Sequence, residues 1–254
     1  MSVKLYAITC GWLTMPLGAL LRGEKGRLKV PVPVFLIDHP RGKVLFDSGI
    51  NPAALTGGDN YLGANAKFMT LHVEPADTVS AQLARIDIDP GDIDYLVNSH
   101  LHFDHCGGNQ LVSDAPILIQ EPELASARES DPEQPTGYLA EDFETGQDFK
   151  LLRGEHDLFD DGSVVCLPTY GHTAGHQSLK LRLGTGSEVI LAGDACYLRR
   201  TLEEMHLPFV AADTNAMLDS LKKLKALQAR GARIFYGHDP DFWANMPMAP
   251  QAIG

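Results

Sequence analysis

The sequence predicts an α/β protein built of stacked β-sheets with helices over both outer faces. Two observations carry that expectation. Short β-prone runs alternate with helical patterns in both halves of the chain, and four of these runs lead directly to a histidine or an aspartate. Loops at strand ends are where a rigid scaffold presents reactive groups, so the second observation also locates a site.

The elements follow in order. "VKLYAIT", "VPVFLIDH" and "GKVLFDSG" read as strands, the last two joined into a hairpin by a Pro-Arg-Gly turn. "INPAALTGGDNYLGANAKFMTLHVEPAD" reads as a long loop carrying Tyr61, Phe68, Met69 and Leu71, either as a lid or binding wall or as packing folded back on the core. In "DTVSAQLARI", Asp77 is the expected cap, and Val79, Leu83 and Ile86 form the apolar face of a short helix. "DIDYLVNS" and "APILIQ" are buried strands, and "EPELASARES" is a helix with its proline in the first turn. Residues 131–150, rich in Asp, Glu, Pro and Gly, read as a surface connection between the halves.

In the second half, "SVVCLPTYGHTAGHQSLKLRL" holds a strand ending at Pro168, a turn around His172, and a second strand over 178–183. "EVILAGDACY" is a buried strand leading to Asp194, and "ARIFYGHDP" leads to His238. Between them Met217, Leu218, Leu221, Leu224 and Leu227 make a helical apolar stripe that Gly231 stops, a stripe best read as core packing.

The chain of 254 residues, 44% hydrophobic and 21% charged, has the composition of a globular protein, is long enough for one large domain or two modest ones, and is taken as a single domain over 1–254. A formal net charge of −12, without a basic run, excludes nucleic acid and anionic membrane surfaces as partners, because both require basic patches. No stretch of about 18 apolar residues and no leader pattern is read in the sequence, so a cytoplasmic protein is expected. Cys10, Cys106, Cys166 and Cys196 form no CxxC pair and read as small buried hydrophobes rather than as a disulfide or zinc framework.

The chemistry concentrates in "NSHLHFDHCGGN", where His100, His102, Asp104 and His105 spell HxHxDH. Clustered imidazoles repel one another when protonated and are costly to bury unpaired, whereas a divalent cation accepts their lone pairs. His100 and His102, two apart in extended chain, point the same way; Asp104 and His105 lie past a bend and face a second point. Gly107 and Gly108 let the chain wrap tightly before it continues. His172 and His176 are both candidate ligands at this stage, their i, i+4 spacing suiting a helix but the flanking glycines and strands suiting a turn.

HxHxDH, then His172 in "GHTAGH", Asp194 in "LAGD" and His238 in "YGHD", resembles the metallo-β-lactamase superfamily in the right order over nearly the whole chain. The resemblance implies an αβ/βα sandwich of two mixed β-sheets with helices on both outer faces. "SHLHFDHCGGN", "GHTAGHQS" and "DACY" are most similar to the dinuclear-zinc lactonases that open N-acyl homoserine lactones. Tyr197, three positions after Asp194, favours that branch over glyoxalase II and the RNA-processing nucleases. His102 stands where flavodiiron oxygen reductases carry glutamate, which favours hydrolysis over redox chemistry.

By that resemblance His100, His102 and His172 hold one Zn2+, Asp104, His105 and His238 hold the other, and Asp194 bridges them; Fe, Mn or Co are alternative occupants of the same donors. A shared water, deprotonated near neutral pH, attacks the lactone carbonyl. Tyr197 and one zinc polarise the carbonyl oxygen, and Asp104 relays a proton to the departing ring oxygen. His176 then reads as a residue supporting the ligands, and Tyr197 has the alternative of a core tyrosine bonded to backbone. His39, His72 and His156 fall outside any spacing pattern, while His206 is a candidate for the pocket lining.

Met15, Phe68, Met69 and Phe103 are the expected pocket wall, suited to an acyl chain or equally to ordinary packing, and an apolar entrance could also be buried by a second subunit as a homodimer. The competing readings are a hydrolase of another lactone or ester, such as a γ-butyrolactone or a pyridoxal-derived lactone, and a non-catalytic metal-binding protein. Arg199 or Arg200 reaching the site would favour a carboxylate-bearing substrate by bidentate pairing. Three protein ligands per ion plus a shared aspartate leave an open coordination position, which argues against a closed structural site.

Overall fold

Period-two alternation in the apolar runs sends successive side chains into different cores. In the computed structural model, which describes residues 2–253, strand Val164–Pro168 turns Val164 and Cys166 toward the interior between two sheets, and Val165 and Leu167 outward onto a helix. Strand Arg27–His39 does the same on the other side, with Phe35 and Ile37 between the sheets and Val34 and Leu36 in the outer core. Strands buried on both faces need near-continuous apolar sequence, which is what "VPVFLI" and "EVIL" supply.

Among the described residues one sheet comprises β1 (Lys4–Pro16), β2 (Arg27–His39), β3 (Gly42–Phe46), β4 (Thr70–His72), β5 (Tyr95–Val97), β6 (Ile117–Gln120) and β7 (Phe149–Leu152), in the order β4-β1-β2-β3-β5-β6-β7. The other comprises β8 (His156–Asp157), β9 (Val164–Pro168), β10 (Gln177–Arg182), β11 (Glu188–Leu191) and β12 (Arg233–Phe235), in the order β12-β11-β10-β9-β8. Both sheets are mixed: β3, β5, β6 and β7 run parallel after an antiparallel β1-β2-β3, and β11 pairs in parallel with β12. Helix Thr214–Ala229 covers the second sheet with Met217, Leu221 and Leu224 buried, while helices Val79–Ala84 and Glu121–Glu129 pack on the first. The expected αβ/βα sandwich is therefore the observed fold, and no helix among the described residues is long and apolar enough to cross a membrane.

The structure differs from expectation at three places. The cap of helix Val79–Ala84 is Thr78, whose hydroxyl accepts from Ala81 N, because the Asp77 carboxylate is already used by the Glu74 N–H in the preceding proline turn. Residues 50–77 are two short helices, Ala54–Gly57 and Asp59–Leu62, two 3-10 turns, Gly63–Lys67 and Pro75–Asp77, and β4, so they are packing as well as wall. Residues 131–150 are not a plain surface connection, since Asp142 and Phe143 are buried and Asp142 accepts from Asn51 Nδ2 and the Tyr61 hydroxyl at 2.7 and 2.8 Å.

Parallel strand ends bring the segments after β3, β5, β11 and β12 to one rim, where the β9–β10 turn joins them. That turn depends on Gly171, which has φ +125° and whose added Cβ would lie 2.1 Å from Met217 N. Gly171→Ala is expected to lower the unfolding free energy by roughly 2–4 kcal/mol through strain and overlap. A urea titration checks this; a loss below about 0.5 kcal/mol would show that the turn relaxes freely.

Candidate metal centre

Each candidate ligand stands on a short element at that rim. His100 follows β5 in extended chain, His102 caps the helical turn Phe103–Cys106, and Asp104 and His105 ride on that turn. His172 lies in the β9–β10 turn, Asp194 on the 3-10 turn Gly193–Ala195 after β11, and His238 just past β12. All seven converge. His100, His102, His172 and Asp194 form one group and Asp104, His105 and His238 another, the offered ligand atoms of each lying within 4.8 Å of one another.

Asp194 faces both groups. Its Oδ2 is 3.3 Å from His172 Nε2 and 3.7 Å from His100 Nε2, and its Oδ1 is 3.1 Å from His238 Nε2 and 3.3 Å from His105 Nε2. Asp104 Oδ2 sits 3.7 and 3.6 Å from the same His105 and His238 nitrogens. His172 Nε2 lies 3.2 Å from His100 Nε2 and 3.1 Å from His102 Nδ1.

Outer nitrogens are anchored, which aims the inner ones. His100 Nδ1 contacts the Ser99 hydroxyl at 2.9 Å, His105 Nδ1 contacts Asp47 Oδ2 at 2.9 Å, His172 Nδ1 contacts the Tyr197 hydroxyl at 2.8 Å, and His238 Nδ1 donates to Pro31 O at 2.8 Å. Asp47 also accepts from the Ser99 amide and hydroxyl at 2.6 and 2.9 Å. The sequence reading missed Asp47, although "VLFDSG" is one more apolar strand leading to an aspartate.

The charges suit a cation. His105 Nε2 and Asp194 Oδ1 are buried without a hydrogen-bond partner, 3.3 Å from one another. Such orphaned atoms, with imidazole and carboxylate donors around them, fit a divalent metal. Burial, reinforced by the neighbouring rings, holds His100 and His172 well below the usual imidazole pKa and pushes His102 down to about 3, leaving lone pairs free. Burial opposes a charged ring at His105 and His238, yet the surrounding aspartates outweigh it and raise both.

The groups open into a cavity of ≈ 680 Å3 bordered by Asp104, Asp194 and Tyr197 at its base. The four expected wall residues, Met15, Phe68, Met69 and Phe103, all line it, joined by Phe209 and Val210 at the mouth. Burial and the nearby carboxylates hold the Tyr197 pKa well above its ordinary value, so the group is a phenol and a donor. His206 is not in the lining; its Nε2 is engaged with Arg22 O at 2.8 Å. Arg199 and Arg200 also turn away, Arg200 to Glu24 and Glu204 at 2.9 and 3.1 Å and Arg199 over the Tyr236 ring. Cys106 and Cys196 are buried and belong to neither ligand group.

A mixed two-sheet sandwich with histidines and aspartates gathered at its strand ends defines a class, and the chain belongs to it: the metallo-beta-lactamase superfamily, whose sequence profile matches residues 28–238. More particularly, the chain is 31% identical over 257 residues to the N-acyl homoserine lactonase AttM of Azorhizobium caulinodans, with 98% of each chain covered. It is 32% identical over 228 residues to an N-acyl homoserine lactonase of Bacillus cereus, covering 89% of this chain and 88% of the relative. A solved structure of N-acyl homoserine lactone hydrolase, with the product N-hexanoyl-L-homoserine bound at its catalytic metal centre, superposes over all of both chains with a TM-score of 0.90 at 29% identity.

His176 supports Asp194 from behind the site. Its Nε2 accepts the Asp194 N–H at 3.0 Å, and Nδ1 faces the Thr169 hydroxyl and carbonyl at 2.9 and 3.1 Å, so the ring must be neutral with its proton on Nδ1. Burial pushes its pKa from 6.5 down to about 4. Between those values the unfolded chain binds more protons, so this contribution is complete above about pH 6.5 and is lost as pH falls toward 4. The gap corresponds to about 3 kcal/mol. His176→Gln is expected to flatten the pH dependence of unfolding across that window in urea titrations of metal-free protein; an unchanged slope would show that the folded ring titrates normally.

Proposed function

We propose that the chain is a dinuclear metal hydrolase that opens the lactone ring of N-acyl homoserine lactones. The observation that carries this reading is the Asp194 carboxylate, which turns one oxygen to each of two histidine groups at the base of a largely apolar cavity. The named lactonases that the chain resembles over nearly its full length, and the acyl homoserine product held by the solved neighbour, support the substrate class. His100, His102 and His172 would hold one Zn2+, Asp104, His105 and His238 the other, with Asp194 shared; iron, manganese or cobalt suit the same donors. When bound, the ions supply Lewis acidity toward a carbonyl oxygen and bring the ionisation of water into the neutral range.

The chain's own residues do the rest. With Nε2 of His172 committed inward, its Nδ1–H donates to the Tyr197 oxygen, which frees the phenol proton for the carbonyl oxygen as that atom gains negative charge. Asp104, which borders the cavity, would pass the proton given up by the attacking water to the ring oxygen as the C–O bond breaks. Water adds across the ester, and the product is the open hydroxy acid. Met15, Met69, Phe209 and Val210 offer the acyl chain an apolar wall. Neither Arg199 nor Arg200 lines the cavity, so no guanidinium is there to pair a carboxylate-bearing substrate bidentately.

Acid release by zinc-loaded protein, with acyl homoserine lactones set beside γ-butyrolactone and a pyridoxal-derived lactone, tests the proposal. Acyl homoserine lactones are expected to be the fastest substrates, Asp194→Ala to abolish turnover, and Tyr197→Phe to lower kcat about 10- to 1,000-fold with little change in metal content. Two metal equivalents per chain with no turnover of these lactones would contradict it. Removal of metal by a chelator should abolish activity, and added zinc should restore it.

A further inference from the structure

Glu123, in the first turn of helix Glu121–Glu129, is fully buried at 0% exposure. Its carboxylate gathers donors from three separate segments. Oε1 accepts from Leu101 N at 3.1 Å and from the Tyr138 hydroxyl at 3.0 Å, and Oε2 accepts from Gly175 N at 2.9 Å. Leu101 is the residue between His100 and His102, Gly175 lies in the turn that carries His172, and the Tyr138 ring packs edge-on against His102 at 4.8 Å.

The backbone approaches closely on both sides. A Cβ on Gly175 would lie 2.3 Å from Glu123 N, and one on Gly137, which has φ +85°, would lie 2.8 Å from the His102 ring. A carboxylate is the one side-chain group that accepts at several lone pairs and donates at none, so three converging donors fit it and an amide would set its NH2 against them. His105 and His238 are anchored elsewhere, on Asp47 and on Pro31 O.

We infer that Glu123 is a positioning residue for one of the two metal positions, that of His100, His102 and His172, and not for the other. The inference rests on the dinuclear reading above. Through Leu101 and Gly175 it fixes the backbone on either side of the ligand set, and through Tyr138 it fixes the ring plane of His102. Outer partners of metal ligands are worth about 10- to 100-fold in affinity, and here that loss would fall on a single ion.

The test is cobalt(II) titration of the full chain, followed by visible absorption, for wild type, Glu123→Gln and Tyr138→Phe, with circular dichroism and thermal midpoint on the same samples. Wild type is expected to take up two equivalents. Glu123→Gln is expected to keep one near wild-type affinity, to bind the other about 10- to 100-fold more weakly, and to alter the absorption bands of that equivalent alone. Tyr138→Phe, which leaves the backbone donors in place, should weaken the same equivalent by less and decides the matter if Glu123→Gln does not fold. Equal weakening of both equivalents, or none, in variants that fold would overturn the assignment. Failure of wild type to take up cobalt would overturn the dinuclear reading and this assignment with it.

Discussion

Gathering five imidazoles, four of them buried, and two buried aspartates at one point is the constraint to which the rest of the molecule answers. Each ring carries two nitrogens, and in a dry interior neither can be left to water. The chain resolves this by anchoring an outer nitrogen on protein wherever a partner is near: Ser99 for His100, Asp47 for His105, Tyr197 for His172 and a backbone carbonyl for His238. The inner nitrogens are thereby aimed at one another and at Asp194, a set of lone pairs and carboxylate oxygens that suits a divalent cation.

Such aim requires stiffness, and the sandwich supplies it. Every candidate ligand stands within eight residues of a strand end, several of them on short elements: a helical turn at Phe103–Cys106 and a 3-10 turn at Gly193–Ala195. Close backbone approach locks these pieces together. A Cβ on Gly108 would lie 2.2 Å from Ser48 O, and one on Gly237 would lie 2.5 Å from Gly193 O. The cavity above is the softer side, walled by Phe68, Met69, Phe209 and Val210 from two connecting segments, so chemistry is set by the sheets and recognition by the loops.

Much of this was legible in the sequence because it is local. HxHxDH occupies six consecutive positions after a strand, and Asp194 and His238 each close an apolar run, while His172 was separated from His176 by the family resemblance. The β2–β3 hairpin and the helix Thr214–Ala229 were legible for the same reason. What escaped is long-range. Asp47 reaches His105 across 58 residues, and Glu123 reaches Leu101 and Gly175 across 22 and 52, distances at which no periodicity speaks. Polar composition disguised residues 131–150 as surface, because Asn51 and Tyr61 satisfy Asp142 inside. Arg199 and Arg200 lie two and three positions from Tyr197, yet the helix that starts at Arg199 carries both outward.

The most direct test of the central claim is an anomalous-scattering map at the zinc edge from crystals of the zinc-loaded protein. The account predicts two peaks about 3.5–4 Å apart, one beside His100, His102 and His172, the other beside Asp104, His105 and His238, with an Asp194 oxygen on each. A single peak, or a second one outside these groups, would contradict it.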